Sequence, residues 1–233
     1  MFFDHIPIIS NELDRSIAIL EIGCGNGRNI KHVMRSGNPV FTIDISESAY
    51  NANRQYDKTD NVFIVRCDGN KLPFRNGQFD LIFSDHVLRH IPDLDECLKE
   101  IERVADKENR IYFNLYSKEN NFIMTHIVEP IKKYYLNKIP IGALHLLSNI
   151  PALILWSAIK LIYEPILTNC KGLYKYLPLA DHMTFWLRFD YRIIRQTVFD
   201  LLHAPFAYYF SGSDIEDLAK SSGLILTEKK LLR

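Results

Sequence analysis

One stretch constrains this chain more than any other: residues 19–29, ILEIGCGNGRN. An apolar run ends at Glu21, glycines follow at Gly23, Gly25 and Gly27, and a helix-type sequence starts at once. Glycine enters turns closed to other residues and lets the backbone approach a ligand closely. The start of a helix behind the loop offers N–H groups with no intrahelical partner. In an open α/β sheet such a loop lies at the carboxyl ends of the strands, where ligands bind. A tight turn without a ligand would account for the glycines alone. Glu21 before them and Asp44 at the end of the next apolar run favour a ligand, because a carboxylate there accepts hydrogen bonds from two ribose hydroxyls.

The rhythm of the first 116 residues fits that reading. Apolar runs at 17–22, 40–43, 62–65, 79–83 and 111–115 alternate with helix-type segments. The segment from Asn29 to Ser36 puts Ile30, Val33 and Met34 on one face, and Gly37 stops it. Ser46 caps a helix through Tyr56, and Leu94, Leu98, Ile101 and Ala105 form a helical stripe. Short apolar strands alternating with helices imply right-handed βαβ units and a parallel sheet covered on both faces. The expected fold class is α/β, a doubly wound and mainly parallel sheet. From Ser117 the rhythm breaks into a long aromatic stretch with scattered prolines, read as a helical insertion after strand five. The expected division is a core over 1–116, an insertion or cap over 117–212, and a final helix and strand over 213–233. That final helix carries Ser213 and Glu216 at capping-box spacing and closes at Gly223, with Leu224 to Thr227 as the last strand.

Charge narrows the partners. Lys plus Arg and Asp plus Glu both number 28, so no basic excess points to nucleic acid. Cys24, Cys67, Cys97 and Cys170 form no Cys-x-x-Cys pair, and the histidines show no ligand spacing, so neither a metal site nor a disulfide framework is expected. A reduced, cytoplasmic setting fits. The opening MFFDHIPIIS lacks the basic and long apolar regions of a secretory signal.

The ligand has two rivals. NAD loops read Gly-x-Gly-x-x-Gly and bind the pyrophosphate, with the third glycine at the helix start. Here the third glycine falls one residue early, and a methionine-derived cofactor, with no pyrophosphate, suits that spacing better. LEIGCGNG, then TIDIS, then CDGNKLPFRNGQFDLIFSDHVLRHIPD resembles the small-molecule, Rossmann-like (class I) S-adenosylmethionine-dependent methyltransferases across about residues 18–116. The resemblance implies S-adenosyl-L-methionine as cofactor, with Gly23, Cys24, Gly25 and Gly27 under its methionine half and Glu21 helping to hold its ammonium. It implies Asp44 on the ribose, Ile45 against the adenine, Asp68 and Gly69 at the adenine amino group with Asn70 beside them, and Ser84, Asp85 and His86 at the sulfonium end. A weaker likeness over 199–224, carried by Asp200, Pro205, Tyr208 and Ser213, resembles methyltransferases of surface-polysaccharide and natural-product pathways.

Methyl transfer from a sulfonium is an in-line displacement that depends chiefly on alignment and exclusion of water. A base is useful where the acceptor must lose a proton, and His90, Asp85 and His86 are the candidates. Packing against the cofactor edge is the blander role for His90. The aromatic cluster Tyr174, Tyr176, Phe185, Trp186, Phe189, Tyr191, Tyr208, Tyr209 and Phe210 is read first as core packing of the insertion and second as an acceptor pocket. Arg188, Arg192 and Arg195 read as a solvated helix face. The expected partner is a small-molecule acceptor, first a sugar or other polar metabolite, second a quinone-like or lipid-linked molecule. Two other classes stand beside this: a cofactor-binding protein without turnover, and an NAD oxidoreductase. Ile139 to Ile159 contains no Asp, Glu, Lys or Arg. The segment 139–167 is expected as two short helices hinged near Asn149, forming first a buried cap, then a homodimer face, then a shallow membrane contact, with spanning last.

Overall fold

The computed structural model describes residues 16–228, apart from 120, 123, 175, 205 and 206. The opening segment read for a signal, the residues after 228 and Pro205 of the weaker likeness lie outside the described residues. The chain divides into two compact units, one of residues up to 121 together with 208 onward, the other spanning 122–207. These bounds stand beside the expected ones at 116 and 213.

In the first unit, β1 (Ile19–Ile22), β2 (Val40–Asp44), β3 (Val62–Arg66), β4 (Phe79–Asp85) and β5 (Ala105–Asn114) form one parallel sheet in the order β3-β2-β1-β4-β5. The chain builds outward from β1 to β3 and then crosses back to place β4 on the other side of β1. The carboxyl ends of β1 and β4 therefore flank the point where strand order reverses, the position at which open α/β sheets bind ligands. All four residues of β1 are buried, as a central strand covered on both faces requires. Alternation divides the core: Leu20, Ile22, Phe79 and Ile82 lie with Cys97, Leu98 and Ile101, whereas Ile19, Val40, Leu81 and Phe83 lie with Val33. The helices are α1 (Ile30–Val33), α2 (Ser48–Tyr56) and α3 (Leu94–Val104). Asp93 caps α3 by accepting from Glu96 N–H at 3.2 Å.

Four expectations need correction here. The helix behind the glycine loop is a single turn, followed by a 3-10 turn over Met34–Ser36 that ends at Gly37 with φ 78°. Ala105 belongs to β5 rather than to the helical stripe, and β5 pairs back to Phe79 by shifting register between Phe79 and Leu81. Leu224 to Thr227 forms no strand; pairing beyond β5 is instead a parallel bridge between Ser117 and Phe210, with Phe210 N–H donating to Tyr116 O at 2.8 Å. Local apolar pattern announces a strand but not whether a partner edge is within reach. The last helix of this unit, Gly212–Ser221, is capped by Ser211 with Asp214 in a reciprocal capping box, not by Ser213 with Glu216.

The second unit is helical. It contains α4 (Glu129–Tyr134), α5 (Ile141–Leu147), α6 (Asn149–Ala158), α7 (Glu164–Asn169), α8 (Lys171–Tyr174), α9 (Ala180–Trp186) and α10 (Tyr191–His203); Gly212–Ser221 of the first unit is then α11. Its core is Ile159, Tyr163, Tyr174, Met183 and Ile194, with Trp156, Trp186 and Phe189 against them. The expected division near Asn149 appears as a one-residue break at Ser148 between α5 and α6, although helical backbone angles carry through it and Ile141–Asn169 continues as a 29-residue helical stretch. Ser148 keeps helical backbone angles, and its hydroxyl donates to His145 O, while Asn149 Nδ2 donates to His145 O and Leu146 O. Pro151 stands in the first turn of the segment beginning at Asn149, where a missing N–H is tolerated. The outer side of this helix is exposed, and only 22% of its most apolar window is buried.

Candidate functional site

The glycine loop leaves β1 with Gly23 N–H and Cys24 N–H both donating to Ile43 O at 2.8 and 2.9 Å, which stitches it to β2. Its three glycines have different duties. All have positive φ: 85° at Gly23, 51° at Gly25 and 78° at Gly27. A Cβ on Gly27 would lie 2.7 Å from the Tyr56 ring, whose hydroxyl donates to Gly27 O at 2.9 Å. A Cβ on Gly23 would strike Val87 at 2.3 Å, whereas one on Gly25 would meet no atom within 4 Å. Gly23 and Gly27 thus serve close packing, and Gly25 alone faces open space.

Acidic groups surround this loop. Glu21 is fully buried; Asn29 Nδ2 donates to its Oε1 and the Thr42 hydroxyl to its Oε2, both at 3.1 Å. Burial first, and Asp85 and Asp44 after it, push its carboxyl up to about 8 against those two hydrogen bonds. Asn29 Nδ2 also reaches Asp85 Oδ2 at 3.5 Å, linking the ends of β1 and β4. Asp44 Oδ2 accepts from Gly25 N–H at 2.7 Å, and its Oδ1 accepts from Ser46 N–H and hydroxyl at 2.8 and 2.6 Å. Ile45 beside it is 65% exposed, an apolar side chain at the strand end with nothing over it. At the end of β3, Asp68 accepts from Asn70 N–H at 2.9 Å, and the buried Asn70 Oδ1 has no hydrogen-bond partner among the described residues. Gly69 leaves room for Cys97 Sγ, 3.3 Å from where a Cβ would stand.

Cys24 points into the core with Ile30, Ala52 and Tyr56, and burial pushes its thiol up to about 12. Only its backbone belongs to the loop surface. Ser84 is buried and donates to Ile22 O at 3.0 Å, tying β4 to β1. Beyond β4, Asp85 Oδ1 accepts from Asn114 Nδ2 at 2.9 Å and lies 3.6 Å from His86 Nε2. His86 has φ 61°, a strained value for a non-glycine residue. Its ring stacks on Tyr116 at 4.7 Å, and the Arg89 guanidinium sits 3.8 Å over the same ring. Arg89 Nε donates to His90 Nε2 at 2.9 Å, so that ring nitrogen faces arginine. Sequence reading missed Asn29, Arg89, Asn114 and Tyr116. Asn29 stands in the quoted loop motif, but its bridging role requires Asp85, 56 positions away. No local signal marks the other three.

The site therefore combines an open glycine, a carboxylate at the end of β2, an uncovered isoleucine, a buried amide oxygen without a partner among the described residues, and a buried acid. A family described as "Methyltransferase domain" matches residues 20–113. Residues 20–113 form a class I S-adenosylmethionine-dependent methyltransferase domain. The domain is 30% identical to the sterol 4-C-methyltransferase strm-1 of Caenorhabditis elegans over 119 residues, which is 47% of this chain and 36% of that protein. It is 31% identical over 122 residues to the ubiquinone/menaquinone biosynthesis C-methyltransferase UbiE of Burkholderia vietnamiensis, covering 50% of this chain and 47% of that one. A solved S-adenosylmethionine-dependent methyltransferase from Aquifex aeolicus overlays with a TM-score of 0.46 at 22% identity, over 50% of this chain and 66% of that one. The chain spans between about a third and a half of the length of these curated relatives. The methyl donor of such a domain is S-adenosyl-L-methionine.

Within the methyltransferase domain, Asp44 holds the loop by accepting from Gly25 N–H, and the sequence reading expects a ribose beside it. Asp44→Ala is expected to weaken cofactor binding at least tenfold, since each charge-assisted hydrogen bond to a carboxylate is worth ~1.5–3 kcal/mol. Calorimetric titration checks this; unchanged affinity would remove Asp44 from the site.

Proposed function

We propose that this protein transfers a methyl group from S-adenosylmethionine to a small-molecule acceptor carrying a flat ring. The observation that carries the donor half is the open cradle at Gly25 between Glu21, Asp44 and Asp85. The cofactor fits: Asp44 and Ile45 would hold its ribose and adenine, Asp68 and Asn70 the adenine edge, and the Glu21–Asn29–Asp85 group its ammonium end. When bound it supplies an electrophilic methyl on a sulfonium. The residues past β4 then orient the acceptor. The stacked His86 and Tyr116 rings offer a platform for a planar molecule, with Tyr208 half exposed nearby in sequence to the bridge at Phe210. Asp85 and His86, 3.6 Å apart, form the pair suited to accept a proton from an acceptor hydroxyl or acidic carbon. His90 ranks behind them because its Nε2 is engaged by Arg89.

A ring-bearing, lipid-like acceptor is favoured over a sugar. The relatives just described are named for sterol and quinone substrates. The sugar reading leaned on Asp200 and Ser213, yet Asp200 lies inside α10 bonded to Gln196 and Ser213 is not the helix cap. A reduced cytoplasmic setting remains part of the proposal: all four cysteines are free, and burial pushes Cys67 to about 11 and Cys97 to about 12. Incubating the protein with methyl-labelled S-adenosylmethionine and separate lipid and aqueous metabolite extracts tests the reading. Label is expected in the organic phase. Label confined to water-soluble sugars would overturn the acceptor class, and no transfer in either phase would overturn turnover.

A further inference from the structure

The helix Ile141–Asn169 packs only one of its sides. Leu144, Ser148, Ala152, Ile159 and Tyr163, spaced four or seven residues apart, are buried. The other side presents Leu146, Ile150, Leu153, Ile154 and Leu161, all more than half exposed, with Leu161 reaching 77%. Over Ile139 to Ile159 no charged side chain interrupts it. A continuous exposed apolar ridge of this kind marks an interaction site rather than ordinary surface. Its flanks indicate what covers it. Lys133, Tyr134, Tyr135 and Lys138 are all exposed and lead directly into the ridge, and Lys160 closes it, paired with Glu164 at 2.9 Å. Tyrosine at the boundary and lysine beyond it are the side chains that sit at the headgroup level of a bilayer. Charge is also segregated. Residues 122–207 carry nine basic and five acidic residues, whereas the rest of the chain carries nineteen and twenty-three. The neutral total conceals a cationic helical unit and an anionic cofactor unit.

We propose that this ridge docks the protein on an anionic lipid surface, lying in the plane of the interface with the lysines among the headgroups. The helix is long enough to cross a bilayer, but its opposite side is committed to Tyr174, Met183 and Ile194 of its own unit, which fits in-plane contact and excludes lipid on all sides. The inference does not depend on the acceptor. It is tested by sedimenting the full chain with phosphatidylcholine vesicles, with and without phosphatidylserine, while following S-adenosylmethionine binding in solution as the check on folding. The protein is expected to bind the anionic vesicles. Lys133→Glu with Lys138→Glu should lower that binding at least roughly tenfold, and Leu146→Glu with Ile150→Glu and Leu153→Glu roughly a hundredfold. Cofactor affinity should be unchanged in both variants. The proposal is overturned if the wild type stays in the supernatant with either vesicle, or if scattering shows a wild-type dimer that the triple variant converts to monomer. The lysine variant, being wholly on the surface, keeps the test decisive should the triple variant fail to fold.

Discussion

Replacing Gly23 with alanine is expected to cost about 3 kcal/mol and to abolish cofactor binding. Two effects add. The backbone at φ 85° is closed to a β-carbon, which costs roughly 1–2 kcal/mol. The new Cβ would also stand 2.3 and 2.4 Å from the two Val87 methyls and 2.7 Å from its Cβ, so the segment after β4 must move. Such overpacking adds ~1–3 kcal/mol. Because Val87 follows Asp85 and His86 directly, the movement reaches the acceptor side as well as the loop. Gly37→Ala is the control: its φ is 78°, and a Cβ there meets no atom within 4 Å. It should lose only the backbone contribution, roughly 1–2 kcal/mol, and leave cofactor affinity intact. Thermal unfolding of both variants separates the two contributions. Equal melting temperatures would show that the Val87 contact does not constrain the loop.

Glu21 should make both stability and cofactor binding depend on pH. Its carboxyl titrates near 8 in the folded protein, chiefly through burial, against 4.5 for an ordinary glutamate. Between those values the folded state holds a proton that the unfolded chain has lost. The contribution is therefore fully present below about pH 4.5 and is lost as pH rises through 8, a change on the order of a few kcal/mol. Glu21→Gln should flatten that slope in urea titrations run from pH 5 to 8. A cationic ammonium bound beside the Glu21–Asn29–Asp85 group would favour the ionised acid, so binding at pH 7 should release close to one proton. Calorimetry in two buffers of different ionisation enthalpy reads this directly. A binding heat independent of buffer, or the same proton release from Glu21→Gln, would place the titrating group elsewhere.

Much of this arrangement is legible in the sequence because it is written locally. The strands are short apolar runs, the loop is a run of glycines, and Asp44 and Asp68 stand at strand ends by simple counting. What escaped depends on distance or on degenerate local signals. Ser211-x-x-Asp214 and Ser213-x-x-Glu216 both fit a capping box, and spacing alone cannot choose between overlapping registers. Pro151 reads as a break, yet it falls in the first turn of the segment beginning at Asn149, where a missing N–H is tolerated, and the helical backbone continues through Ser148. The apolar run at Leu224 reads as a strand, although among the described residues the pairing beyond β5 is the Ser117–Phe210 bridge. The loop glycines looked alike in sequence; only the neighbours Val87 and Tyr56, brought by other elements, distinguish Gly23 and Gly27 from Gly25. Likewise the His86–Tyr116–Arg89 stack joins the ends of β4 and β5, and no periodicity records it.

The central claim is that the Gly23–Gly27 loop binds S-adenosylmethionine. Titrating the full chain calorimetrically with S-adenosylmethionine, its demethylated product and NAD tests it most directly. The account predicts saturable one-to-one binding of the first two, each displacing the other, weakened at least tenfold in Asp44→Ala, and no binding of NAD. Saturable binding of NAD with no heat from S-adenosylmethionine would contradict it.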